Sequence, residues 1–216
     1  MPRAAVLLLT LLCSTAVFSR SIPYANRVEA LKALADSSVV QRAEAVIWIA
    51  NNGNPADEKV LRPRLLDESA VVRDVAEQGL WLLWSRSDNK TIDALMAKGA
   101  EEMQAQQFKE SIATYSEVIR RKPSFAEGWN RRATVLFVAG DLRRSLADCD
   151  EVMKRNPHHF GALAGYGQIY FQLEQYEKAI EYWKRALEVN PNMLGVEMTI
   201  RSLEEKVKDR ARDRRA

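Results

Sequence analysis

Chemistry in this chain would have to start from very few side chains. The two histidines, His158 and His159, stand side by side directly after Pro157. Adjacent residues do not share a helix face, and no Cys, Asp or Glu stands beside them at a ligand spacing. They read as loop residues, and neither a metal nor any other cofactor is expected. Gly165 and Gly167 flank Tyr166 rather than a serine, so no nucleophile elbow is present. The stretch GALAGYG at 161–167 has no lysine and no preceding strand, which removes a phosphate-cradling loop. Acidic pairs such as Glu204–Glu205 belong on solvated helix faces. Nothing here supports an enzyme.

The elements that position these residues repeat. Pro123, Pro157 and Pro191 are 34 residues apart, and each stands where an amphipathic run must stop, since proline cannot donate the next helical hydrogen bond. At the same step Leu95, Trp129 and Leu163 coincide, as do Gly99, Ala133 and Gly167, and then Tyr115, Cys149 and Trp183. Large residues recur where a helix pair needs filling, and small ones where two helices must approach. Each unit reads as two antiparallel helices turning near Gln106–Gln107, Gly140–Asp141 or Glu174–Gln175. Ser124 and Glu127 have the spacing of a capping box that restarts the second unit. Cys149 takes the place of two aromatic residues and reads as a small buried hydrophobe.

The pattern resembles three tetratricopeptide repeats, at 92–125, 126–159 and 160–193. The third copy carries the signature most fully, in Leu163, Tyr166, Gly167, Tyr170, Ala179, Trp183, Ala186 and Pro191. The second departs from it at Arg132, Leu136, Ser145 and Cys149. The first places Lys98 and Glu102 where apolar residues are usual, so looser or more exposed positions are expected there. After Pro191, Val196, Ile200, Leu203 and Val207 step by four, three and four, which predicts a capping helix with a basic tail over 194–216. Residues 26–88 repeat differently. "LADSSVVQRAEAVIWIA" and "LLDESAVVRDVAEQGLW" superpose with a shift of 31, setting Asp36 on Asp67 and Arg42 on Arg73. This segment resembles a HEAT-like helical repeat, with Pro63 inside the preceding helix and Pro55 at a helix start. The expected fold is all-α, a right-handed α-solenoid of helix-turn-helix units preceded by HEAT-like helices.

Function follows from the resemblance. In tetratricopeptide proteins the first helix of each unit lines a concave groove that holds extended peptides or a partner's helix. Mapped onto this sequence, the inward positions are Met96, Ala100 and Met103, then Asn130, Arg131, Thr134 and Phe137, then Gly161, Ala164, Gly165, Gln168 and Phe171. Asn130, Arg131 and Gln168 are the expected polar anchors, Phe137 and Phe171 the apolar ones, with Thr134 between them, while the glycines would let a ligand chain come close. Family members that grip acidic chaperone tails use a clamp of Lys, Asn and Arg. Here the matching places hold Met96, Ala100, Gly161 and Gly165, with only Arg131 keeping the charge.

The 216 residues are 47% hydrophobic and 28% charged, with 32 basic and 29 acidic residues interspersed. That is a soluble composition without a nucleic-acid footprint. Arg3 followed by an uncharged run from Ala4 to Phe18 reads as a secretory signal over 1–19, ending at Ala16 or Ser19. Its removal would take away Cys13 and leave Cys149 without a disulfide partner. A membrane would be met only through an uncleaved signal. The stretches "FAEGWNRRATVLF" and "NPHHFGALAGYGQIY" are similar to small exported bacterial tetratricopeptide proteins, which implies the periplasm or beyond. The expected function is a non-enzymatic adaptor or scaffold for a protein or peptide partner. The alternatives are a self-associating structural protein and an accessory subunit of an envelope enzyme complex.

Overall fold

The structure, a computed structural model, describes residues 24–213; the expected signal over 1–19 and the last three residues of the basic tail lie outside them. Among the described residues there is no strand. The N-terminal helices are α1 (Arg27–Ala33), α2 (Val39–Asn52), α3 (Glu58–Leu61) and α4 (Ala70–Ser85). Three pairs follow: α5 (Lys90–Gln104) with α6 (Phe108–Arg121), α7 (Ala126–Val138) with α8 (Leu142–Arg155), and α9 (Phe160–Gln172) with α10 (Tyr176–Val189). The last helix is α11 (Leu194–Asp213).

The 34-residue period is written into the backbone. Gln106, Gly140 and Glu174 all adopt left-handed conformations, with φ of 58°, 83° and 57°. Each closes its first helix with the same two bonds. The amides of Gln106, Gly140 and Glu174 donate to the carbonyls of Met103, Phe137 and Phe171. The next amides, of Gln107, Asp141 and Gln175, reach back to Glu102, Leu136 and Tyr170 at 2.8–2.9 Å. This is a Schellman stop, which satisfies carbonyls that a helix end leaves bare. Ser111 Oγ then donates to Gly99 O at 2.7 Å, and Ser145 Oγ to Ala133 O at 2.8 Å.

Volume is conserved across the helix pair rather than residue by residue. Gly99 faces Tyr115 and Gly167 faces Trp183, both glycines in contact with the ring. In the middle unit the small Cys149 shares a cluster with Ala133, so the larger residue on one helix meets the smaller on the other. The departure at Arg132 also has a partner. Its guanidinium makes two 2.8 Å bonds to Asp148 and donates to Ser116 Oγ at 2.9 Å. A methyl at Gly167 would overlap the buried Trp183 ring, whereas a Cβ at Gly165 would meet only Cys149 Sγ at 3.7 Å. Gly167→Ala is therefore expected to cost about 1–3 kcal/mol in urea unfolding. Gly165→Ala should be neutral or stabilising by up to about 1 kcal/mol.

The N-terminal helices show their own period. Arg42 Nη1 donates to Asp36 O at 2.9 Å and Ser37 O at 3.1 Å; Arg73 Nη1 donates to Asp67 O and Glu68 O at the same distances. Arg42 also grips the Asp67 carboxylate through Nε and Nη2, at 2.9 and 2.8 Å. Arg73 has no third unit to reach, and its Nε donates instead to Asn192 Oδ1 at 2.8 Å, in the loop after α10. Pro55 opens a 3-10 turn as expected, while Pro63 sits in a 3-10 stretch, Arg62–Leu66, that follows α3.

That Asn192 contact shows where α4 packs, which order along the chain does not convey. The start of α4 touches the loop after α10, and its end packs Trp81 and Trp84 on His159 and Phe160. Just beyond it, Ser87 O accepts from Lys122 Nζ at 2.5 Å. α4 thus runs along the loop edge of the three helix pairs, against their order, and Phe160 belongs to the N-terminal core cluster. At the other end Val196, Ile200, Leu203 and Val207 of α11 pack against the Trp183 cluster, as their spacing predicts.

Candidate peptide-binding groove

The groove positions lie on α5, α7 and α9, the first helices of the pairs. Spacings of three and four set Met96, Ala100 and Met103 on one face, with Asn130, Thr134 and Phe137, and Ala164, Gln168 and Phe171, in register on the next two helices. The structure treats these residues unequally. Phe171 keeps 40% of its surface exposed, tilted against Tyr176 and Trp183 at ring separations of 5.8 and 5.9 Å. Thr134 is exposed, with Oγ1 donating to Asn130 O at 3.0 Å. Gln168 is half-buried, with no side-chain hydrogen bond among the described residues. Phe137 packs inward against the Cys149, Tyr166 and Ile169 cluster, and Met96 and Met103 against Tyr115 and Val118. Val138, beside Phe137 and not among the expected anchors, leaves 38% of its surface open.

Two of the three polar anchors, Asn130 and Arg131, are committed to one buried acid, Glu127. Glu127 is fully buried, and three groups converge on its carboxylate. Arg131 Nε donates to Oε1 at 2.6 Å, Asn130 Nδ2 to Oε2 at 3.0 Å, and His159 Nε2 lies 3.2 Å from Oε2. Ala162 N–H donates to His159 Nδ1 at 3.1 Å, which leaves Nε2 to carry the ring proton and donate to Glu127. Burial pushes the Glu127 carboxyl up, but Arg131 and His159 outweigh it and hold it below its ordinary value of 4.5. The charge of Glu127 in turn raises Arg131.

Two expectations are corrected here. Ser124 and Glu127 form no capping box: Phe125 occupies the N-cap of α7 without a side-chain bond. A carboxylate offered a guanidinium and an imidazole in a dry site gains more there than from one exposed backbone amide. His159 is not a free loop residue; it is fully buried as the N-cap of α9 and lies flat on Trp84 at 4.4 Å. Its acidic partner comes from 32 residues earlier in the chain, beyond the reach of local spacing. Gly161 makes room for Trp81, not for a ligand.

Lys98 is exposed, as expected, and pairs at 3.6 Å with Glu102, whose side chain is only 13% exposed, so the looser packing holds at Lys98 alone. Cys149 is buried and free, and burial pushes its thiol up to about 12. A thiol-reactive dye at pH 8 is expected to leave it unlabelled in the native chain and to label it on unfolding. Among the described residues no helix is long and apolar enough to cross a membrane, and no group of three His, Cys, Asp or Glu side chains is placed to hold a metal.

Residues 96–152 and 163–193 each match a family model described as tetratricopeptide repeat. The helix pairs are tetratricopeptide repeats. A TPR repeat-containing protein of Rhizobium etli is 32% identical over 126 residues, 58% of this chain and 62% of its own. The Hsp70-Hsp90 organizing protein of Triticum aestivum is 28% identical over 129 residues, 60% of this chain and 21% of its own. The chain therefore spans less than two thirds of the length of these relatives. Among solved structures, the first TPR of Spaghetti (RPAP3) bound to the HSP90 peptide SRMEEVD superposes with a TM-score of 0.52 at 21% identity, over 54% of this chain and 93% of that one. The Sgt2 TPR domain of Aspergillus fumigatus gives 0.54 at 17% identity, over 57% and 83%.

Proposed function

We propose that this chain is a non-enzymatic adaptor that holds a protein or peptide segment along the groove face of α5, α7 and α9. The observation that carries the reading is the pair of open apolar side chains Phe171 and Val138, 40% and 38% exposed. The hydroxyl of Thr134 and the amide of Gln168 lie on the same helices. Such a face offers apolar seats for alternate side chains of an extended segment and polar groups for its backbone. Relatives and structural neighbours support it: one solved neighbour holds an HSP90 peptide, and another is the TPR2B domain of yeast Sti1 in complex with an Hsp70 partner.

The same proposal places the chain outside the cytoplasm, in the periplasm or secreted. The charge and apolar pattern of residues 1–19 supports that address. The N-terminal helices would act as a brace along the loop edge, leaving the other end of the groove open.

The test uses Phe171→Ala with Val138→Ala, with the fold of the variant checked by circular dichroism because Phe171 also packs on Tyr176 and Trp183. Crosslinked partners captured by the wild-type chain are expected to be lost from this variant and kept by Val40→Ala, whose side chain is exposed on α2. Capture that survives the groove changes would overturn the reading.

A further inference from the structure

We propose that Glu127 sets the charge preference of the groove: the site takes a neutral, apolar segment and turns away acidic ones. The inference rests on the groove reading above and specifies its ligand. Arg131 is the cation on the groove face of α7, and the fully buried carboxylate of Glu127 holds its Nε at 2.6 Å. The pair is neutral, and the third group on that carboxylate, His159, donates from a neutral ring. A ligand carboxylate approaching Arg131 would have to compete with an acid that cannot leave. It would also lose its own hydration beside a buried negative charge.

Among the described residues, the matching positions of the neighbouring helices do not supply the missing charge. The corresponding positions of α9 are Gly161 and Gly165, and Trp81 already fills the space at the first. Asp93, one turn before Met96 on α5, adds a negative charge that accepts from Ser87 Oγ. A face of this kind selects against acids rather than for a cation, and its open side chains, Phe171 and Val138, reward apolar residues.

The experiment is selection from a displayed library of random peptides on the full chain, with the Phe171→Ala, Val138→Ala variant as the background. The wild-type chain is expected to enrich peptides that carry aromatic or aliphatic residues and are depleted in Asp and Glu relative to the input. In Glu127→Gln, which keeps an oxygen for Asn130 and His159 but frees Arg131, the depletion should disappear. Gly165→Lys adds a cation where a Cβ has room, and keeps the test available if Glu127→Gln fails to fold. It should raise binding of SRMEEVD relative to SRMQQVN, its counterpart without acidic side chains, by about tenfold, the ~1.4 kcal/mol of one added ion pair. Enrichment of acidic peptides by the wild-type chain would overturn the charge preference while leaving the groove intact. Equal selection by wild type and background would overturn the groove reading, and this inference with it.

Discussion

Replacing Arg131 with alanine is expected to destabilise the chain by about 3–5 kcal/mol, although 35% of the side chain faces water. The loss comes from its partner. Glu127 stays fully buried with its charge uncompensated, held only by Asn130 and the neutral ring of His159. Removing the acid instead leaves no buried charge, but it leaves donors unpaired. In Glu127→Ala the guanidinium can turn to solvent, and two buried donors lose their acceptor at about 1–3 kcal/mol each. Urea unfolding at pH 7 should therefore show Arg131→Ala to be about as costly as Glu127→Ala, where exposure alone would make it far cheaper. The pH dependence follows from the lowered carboxyl of Glu127. A group held below its ordinary value of 4.5 contributes stability that is present above pH 4.5 and lost as pH falls through its folded value. The gap between wild type and Arg131→Ala should narrow as the pH is taken down through that window.

Trp84→Ala is the other large effect, expected at about 3–5 kcal/mol. The indole lies on His159, packs beside Phe160 at 5.0 Å and donates from Nε1 to Glu58 Oε2 at 2.9 Å. It thus joins the N-terminal helices to the third repeat as well as filling space. Hydrogen exchange distinguishes these roles. Amides of α2 and α4 should lose protection together in the variant, while those of α10 and α11 keep theirs. Uniform loss across all helices would mean that α4 is no separate brace.

The repeats were legible because their information is periodic. Gly99, Ala133 and Gly167 announce close helix contacts at fixed intervals, and the three left-handed turns fall where the polar breaks place them. Asp36 and Asp67, Arg42 and Arg73 were paired by a 31-residue shift, and the structure gives both arginines the same carbonyl partners. What sequence could not convey depends on residues far apart in the chain. Nothing local links Trp81 to Gly161 or Arg73 to Asn192, so the course of α4 along the loop edge was hidden. Glu127 differs for a related reason: its spacing from Ser124 fits a cap, but His159, at the N-cap of α9, offers its carboxylate a better donor. The Glu127–Arg131 spacing of four was the available signal. Phe137 was grouped with Phe171 by register, yet a neighbouring repeat covers one and leaves the other open.

Site-specific photocrosslinking tests the central claim most directly. A photoreactive residue would be placed in turn at Phe171, Val138, Val40 and Met198, all with exposed side chains, in chain expressed in its source cells. The account predicts that one protein is crosslinked from positions 171 and 138, and that positions 40 and 198 do not yield it. Crosslinks to that protein from 40 or 198 but not from the groove pair, or to a second copy of this chain alone, would contradict it.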